Sequence, residues 1–138
     1  MIKIIDYGLG NVLAFQNVYK RANIAVAVAR TESELVDASR LILPGVGSFD
    51  HAMSMLSDSG MRDALERRVL GDRVPILGVC VGMQMLARSS DEGSLPGLGW
   101  LDAEVKGFAS LGRTDLRLPH MGWNSLEFAT ASPLVSLR

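Results

Sequence analysis

The feature that most limits the fold of this chain is the alternation of short apolar runs with segments of helical periodicity. The runs are MIKII (1–5), IAVAVA (24–29), RLILP (40–44) and VPILGV (74–79). They are rich in apolar residues and end in turn residues, as strands buried on both faces do. Strands of this kind separated by helices form parallel sheets with right-handed crossovers. We therefore predict an α/β fold with a doubly wound, mostly parallel sheet.

The segments between the runs carry apolar residues at helical spacing. This spacing predicts helices over 11–22, 32–38 and 49–70, with the last one broken near Ser59 and Gly60. Such helices cover both faces of the sheet, which is why its strands can be apolar throughout.

The pattern changes after Gly93. The stretches DAEVKGF (102–108), TDLRLPH (114–120) and NSLEF (124–128) predict shorter and more polar strands, which we expect to be antiparallel. The chain contains no repeat, linker or low-complexity segment, so we expect residues 1–138 to form a single domain.

The composition excludes several classes of function. Lysine and arginine number 14 against 15 acidic residues, and the net charge of −1 gives no electrostatic attraction to nucleic acid or anionic lipid. The single cysteine excludes an internal disulfide, and no apolar stretch approaches the length that crosses a membrane. The start of the chain has no signal-peptide pattern. We therefore expect a cytoplasmic protein.

Doubly wound sheets bind ligands at the carboxyl ends of their strands, so the residues that leave the strands are the candidates for chemistry. The first exit, DYGLGN (6–11), has Leu13 where a dinucleotide-binding fingerprint needs its third glycine, which excludes that fingerprint. It predicts a tight turn with Asn11 as the helix N-cap. The second exit, PGVGSF (44–49), either brings the backbone around Val46 close to a ligand or is an ordinary turn.

The third exit, GVCVG (78–82), holds the only cysteine between two glycines. This pattern predicts a nucleophile elbow, in which a strained turn lifts the Cys80 side chain above the sheet. A helix that begins near Val81 would favour the thiolate. The alternative is a thiol packed in the core, because free cysteine is among the most buried residue types.

Four stretches in order along the chain resemble signatures of the class I (triad) glutamine amidotransferase family. They are DYGLGN, LPGVGSFDHAM (43–53), GVCVGMQ (78–84) and LPHMGWN (118–124). Within that family they are most similar to the glutaminase subunits of imidazole glycerol phosphate synthase. The resemblance implies a flavodoxin-like fold, with Cys80 attacking the side-chain amide of glutamine to release ammonia and form a thioester that water hydrolyses. It implies no cofactor and no metal.

The resemblance also implies roles for residues around the nucleophile. The backbone N–H groups of Val46 and Val81 would bind the oxyanion, and Gly45 and Gly47 would let the turn that carries Val46 face the substrate.

Two polar residues match positions that contact the amino-acid head group of glutamine. They are Gln84 and Glu92, and a carboxylate suits an α-ammonium group. Without the resemblance they would be interpreted as a polar residue on a first helical turn and a solvated loop acid.

The resemblance further implies a partner, a (β/α)₈-barrel synthase subunit that takes up the ammonia and makes imidazole glycerol phosphate and aminoimidazole carboxamide ribonucleotide in histidine biosynthesis. The loop expected at that heterodimer interface consists of His120, Met121, Gly122, Trp123 and Asn124. Trp123 would be the aromatic anchor of the interface, with core packing as the alternative.

The chain departs from the family pattern in its last third. The family completes its triad with a histidine and a glutamate in a His-Pro-Glu motif, and this sequence contains no such motif. The only histidines are His51, expected on a solvated helix surface, and His120, and neither matches the triad base. We therefore expect a C-terminally truncated domain that is inactive alone.

Other functions stay open from the sequence. Ala14 and Phe15 resemble a paralogous branch whose glutaminase feeds a sugar amidotransferase in surface-polysaccharide synthesis. The missing base favours a non-catalytic interaction module. A cysteine hydrolase with a different base is a further alternative, but it leaves Gln84 and the 118–124 loop unexplained.

Overall fold

The computed structural model describes residues 1–119, 121–125 and 127. Its centre is a parallel sheet of four strands in the order β2-β1-β3-β4. The strands are β1 (Ile2–Ile5), β2 (Val26–Ala29), β3 (Arg40–Gly45) and β4 (Ile76–Cys80). The four apolar runs are therefore the four strands, and the predicted parallel α/β fold is confirmed.

The pairing of β3 with β4 extends to the last residue of each strand. The register runs from Leu41 opposite Ile76 to Gly45 opposite Cys80. The β1–β3 register, in contrast, ends at Ile4. The carboxyl ends of β3 and β4 therefore lie side by side, past the end of β1.

Helices cover both faces of the sheet. One face carries α1 (Val12–Arg21), whose Val12 packs with Ile4 and Ile42. The side-chain oxygen of Asn11 accepts a hydrogen bond of 3.1 Å from Ala14 N–H, so the predicted N-cap is confirmed.

The opposite face carries the larger part of the core. It is covered by α2 (Phe49–Asp58), α3 (Arg62–Glu66) and a π-helical turn over Arg67–Gly71. The break predicted near Ser59 and Gly60 is confirmed: Gly60 has a φ of +73°, and the Ser59 hydroxyl accepts a hydrogen bond from Met61 N–H.

The helix predicted over 32–38 is shorter and tighter than expected, a 3₁₀ helix over Glu32–Leu35. Its start is fixed by Glu34, whose carboxylate accepts hydrogen bonds from the backbone N–H groups of Arg30 (2.6 Å) and Thr31 (3.2 Å). The last residue, Leu35, is fully buried and anchors the connection from β2 to β3.

The prediction of antiparallel strands after Gly93 is wrong for the described residues. The one strand there, β6 (Glu104–Val105), pairs in parallel with β5 (Ser89–Ser90). In this pairing the Arg88 N–H donates to Ala103 C=O and the Asp91 N–H donates to Val105 C=O. Residues 114–119 form no strand, and 124–128 lie partly outside the described residues.

A short helix, α4 (Val81–Gln84), follows β4 directly. None of the helices described is long and apolar enough to span a membrane.

Substitution of Leu56 tests the packing of the core on the α2 face of the sheet. Its side chain is fully buried, whereas Leu13 on α1 is 66% exposed. We expect Leu56→Ala to lower the free energy of unfolding by about 2–5 kcal/mol, because it leaves a cavity. The matched Leu13→Ala should change it by less than about 0.5 kcal/mol. Urea unfolding monitored by circular dichroism measures both, and equal losses would contradict this core.

Candidate active site

Cys80 is the last residue of β4 and has the backbone of a strained turn. Its φ is 56° and its ψ is −122°, a conformation that L-residues avoid and that costs of the order of 1–3 kcal/mol. The residue is exposed. The alternative of a thiol packed in the core is therefore wrong, and the side chain has the exposed position expected of a nucleophile elbow.

Glycines make room for this turn. A Cβ on Gly82 would overlap with the carbonyl oxygen of Leu43, and a Cβ on Gly78 would lie 2.5 Å from Met83 Cα. A Cβ on Gly45 would overlap with Gly82 N. The backbone of the turn therefore lies directly against the end of β3, and a larger residue at these positions would push the two apart.

The turn after β3 lies beside Cys80. Gly45 pairs with Cys80 in the sheet register, and Val46 follows it with its side chain 56% exposed. Gly47 has a φ of +88°, which favours glycine. Val81 is buried and is the first residue of α4, so its N–H has no acceptor within that helix. The structure thus brings the turn that carries Val46 beside Cys80, and Val81 follows Cys80 directly in the chain.

Gln84 lies one helical turn after Cys80. Its Oε1 atom is buried and has no hydrogen-bond partner among residues 1–119, 121–125 and 127. A buried acceptor without a donor costs free energy, and the described residues supply no donor to this atom.

Glu92 is exposed in the loop after β5. Its N–H donates a hydrogen bond of 3.2 Å to the Ser90 hydroxyl. The side chain lies outside the core. This position is compatible with a residue that binds a ligand and equally with a solvated loop acid.

Asp50 attaches the Glu92 loop to the helix that follows the Val46 turn, a contact that the sequence analysis missed. Its carboxylate accepts hydrogen bonds of 3.0 Å from the backbone N–H groups of Ser94 and Leu95. These bonds, that of Ser94 first, lower the pKa of Asp50 below its usual range. Gly93 lies so close to the carboxylate that a Cβ there would overlap with it. The next residue, His51, is exposed as predicted.

The expected partner loop is at the surface where it is described. Met121 and Trp123 are almost fully exposed, so core packing of Trp123 is wrong. Gly122 has a φ of +148°, and Asn124 is exposed. His120 lies outside the described residues.

Surface cavities elsewhere are lined by different residues. One of about 530 Å³ lies between the 3₁₀ helix and α3, lined by Glu32, Leu35 and Arg67 among others. Its lining includes neither Cys80 nor Val46. Within the described part of the chain, no group of three or more His, Cys, Asp or Glu side chains could hold a metal ion.

Asp50→Asn tests the attachment of the Glu92 loop. It removes a charged acceptor, so we expect faster hydrogen–deuterium exchange at the N–H groups of Ser94 and Leu95. Asp58→Asn, at the exposed end of the same helix, is the control and should leave those rates unchanged.

The same variant gives a test by pH. The folded-state pKa of Asp50 is lowered, so its stabilisation is present above the ordinary aspartate pKa of about 3.9 and is lost as the pH falls through the lowered value. The stability difference between wild type and Asp50→Asn should therefore shrink as the pH falls below about 5. A constant difference in urea midpoint over that range would contradict the assignment.

Comparisons with known proteins match nearly the whole chain. A family model described as CobB/CobQ-like glutamine amidotransferase domain matches residues 4–113. The HisH subunit of imidazole glycerol phosphate synthase from Bdellovibrio bacteriovorus is 58% identical over 135 residues, which are 97% of this chain and 66% of that protein. The HisH subunit from Leptospira borgpetersenii is 47% identical over 98% of this chain and 67% of its own length.

A solved structure shows the same fold. It is titled "Crystal structure of glutamine amidotransferase" and matches with a TM-score of 0.66 at 24% identity, over 76% of this chain and 55% of its own. The chain spans about two thirds of the length of the curated relatives. With a family model matching most of its residues and close relatives over nearly its whole length, the chain belongs to the glutamine amidotransferase family.

Proposed function

We propose that this chain is the glutamine-hydrolysing part of an imidazole glycerol phosphate synthase. The observation that carries the proposal is the strained, exposed Cys80 directly opposite Gly45 at the carboxyl ends of two paired strands. An exposed thiol beside the backbone N–H groups of two turns would suit acyl transfer through a tetrahedral intermediate, and this supports the proposal.

The proposed reaction has two steps. The Cys80 sulfur attacks the side-chain amide carbon of glutamine, the C–N bond breaks, and the leaving nitrogen takes up the proton that the thiol has lost, so that ammonia departs. Water then hydrolyses the glutamyl thioester to glutamate and restores the thiol. In both steps negative charge develops on the former carbonyl oxygen, where the N–H groups of Val46 and Val81 would donate hydrogen bonds.

Gln84 and Glu92 are proposed to bind the head group of glutamine. The Gln84 Oε1 atom is buried without a donor among the described residues, and the α-ammonium group of an amino acid supplies donors. The Glu92 carboxylate is exposed on the attached loop and would pair with the same positive group.

The ammonia is proposed to pass to a (β/α)₈-barrel synthase subunit in a cytoplasmic heterodimer. Ammonia in water near neutral pH is mostly ammonium, which has no lone pair for attack, so transfer needs a docked acceptor. The exposed Met121 and Trp123 fit the apolar anchors of such an interface. The relatives named as HisH subunits favour histidine biosynthesis over a sugar amidotransferase as the destination.

A glutamine analogue with a diazoketone in place of the amide tests the proposal. Because Cys80 is the only cysteine, a single mass increase on it reports attack by its sulfur. We expect wild type to be labelled and Cys80→Ser to stay unlabelled. Failure of the analogue to label wild type, while iodoacetamide does, would favour a non-catalytic interaction module.

Glu92→Gln tests the head-group contact in the same assay. The variant keeps the size of the side chain and removes its charge, so labelling by the analogue should slow by about tenfold, equivalent to about 1.4 kcal/mol. Labelling by iodoacetamide, which has no head group, should not change. Equal slowing with both reagents would contradict a role in binding glutamine.

The lack of a His-Pro-Glu motif in this sequence predicts how the chain behaves by itself. It contains no His-Pro-Glu motif, and His51 is exposed on α2. Without a proton donor for the leaving nitrogen, we expect glutamine hydrolysis to be slower by about 10²–10⁴ than in a chain as long as the relatives, assayed with the synthase subunit. An enzyme-coupled assay for glutamate measures both, and equal rates would show that another group supplies the proton.

A further inference from the structure

Tyr7 is the second residue of the DYGLGN turn, to which the proposed function gives no role. Its side chain is 3% exposed and packs in the core on the α2 face of the sheet. Its hydroxyl donates a hydrogen bond of 2.8 Å to the carbonyl oxygen of Pro44. Pro44 is the residue before Gly45 and Val46, so the hydroxyl contacts the chain where the turn beside Cys80 begins.

The tyrosine hydroxyl takes the place of a main-chain donor. The β1–β3 register ends at Ile4 opposite Ile42, two residues before Pro44. Past that point the Asp6 N–H gives β3 no donor, because it donates to Ala29 C=O of β2 at 2.8 Å. Pro44 is buried, and a buried carbonyl without a donor is costly. The Tyr7 hydroxyl supplies that donor from the side chain.

Two further contacts fix this arrangement. Gly10 lies against Pro44, where an added Cβ would be 2.7 Å from Pro44 Cβ. The Tyr7 oxygen also lies 3.6 Å from the sulfur of Met85, the C-cap residue of α4. The tyrosine therefore sits between the turn after β3 and the helix after Cys80. Burial raises its pKa to about 12, which keeps the hydroxyl protonated and able to donate at neutral pH.

We propose that Tyr7 is a positioning residue that sets the direction of the Val46 N–H toward the oxyanion formed on Cys80. A peptide unit is planar, so a carbonyl oxygen held at Pro44 also fixes the nitrogen of Gly45. Only the two dihedral angles of Gly45 then separate the fixed peptide from the Val46 N–H. Glycine has the widest backbone freedom, so a turn that starts at glycine depends on what holds the peptide before it.

The inference rests on the proposed function and deepens it, and Tyr7→Phe tests it by removing one hydroxyl. Tyr19→Phe is the matched control, since Tyr19 is the only other tyrosine and packs on the α1 face of the sheet. The first measurement is the backbone ¹⁵N–¹H resonance of Val46 in this chain. We expect it to shift or broaden in Tyr7→Phe and to stay in place in Tyr19→Phe.

The second measurement is glutamine hydrolysis by the complete enzyme with its synthase subunit. We expect Tyr7→Phe to lower kcat by about 2- to 10-fold with KM unchanged, because one net hydrogen bond is lost in aligning a donor that acts in the transition state. Tyr19→Phe should retain wild-type kcat. A purely structural role would lower the melting temperature and leave kcat unchanged well below it.

The two measurements separate the inference from the proposed function. An unchanged Val46 resonance in Tyr7→Phe, or a raised KM with unchanged kcat, would overturn the role of Tyr7. A wild-type enzyme that neither hydrolyses glutamine nor is labelled at Cys80 would overturn the proposed function and the catalytic role of Tyr7 together. In that case the Val46 resonance still decides whether the hydroxyl holds the turn.

Discussion

The close approach of the Cys80 turn to the end of β3 is the constraint on which the rest of the site depends. Gly82 lies against the carbonyl of Leu43, and Gly45 lies against the nitrogen of Gly82. Side chains at either position would separate β4 from β3, and the Cys80 backbone would relax from its strained conformation. The strain is therefore held by packing around it, and it keeps the thiol outside the core at the edge where parallel sheets bind ligands.

Polar side chains from distant parts of the chain hold the backbone around this site. Tyr7 binds the carbonyl before the Val46 turn, and Asp50 binds the N–H groups after Glu92. Both side chains form their hydrogen bonds with main-chain atoms of this protein, so their effect is on the backbone of the loops. Loops at a sheet edge have few main-chain partners, so side chains that satisfy their backbone groups decide which conformation they keep.

The sequence predicted the elements whose signal is local. Strands buried on both faces are apolar throughout, and the turn at Cys80 needs the glycines that flank it, so both were visible. The 3₁₀ helix was missed because four residues ending in Leu35 have the same apolar spacing as one α-helical turn. The direction of β6 was missed because alternating polarity does not distinguish parallel from antiparallel pairing. The Tyr7–Pro44 and Asp50–Ser94 bonds join residues 37 and 44 positions apart, which no local pattern reports.

The two glycines of the Val46 turn, Gly45 and Gly47, are required for different physical reasons. Each therefore supports a different conclusion about how the turn can move. Gly45 is required by space, because Gly82 occupies the place of its Cβ. At position 47 glycine is required by the backbone conformation. Its φ of +88° disfavours other residues, whereas an added Cβ would have nothing within 4 Å. The presence of glycine at 45 is therefore not itself a sign that the peptide before Val46 rotates. The direction of that peptide is still set by the two dihedral angles of Gly45, and the Tyr7 hydrogen bond limits it from the side of Pro44.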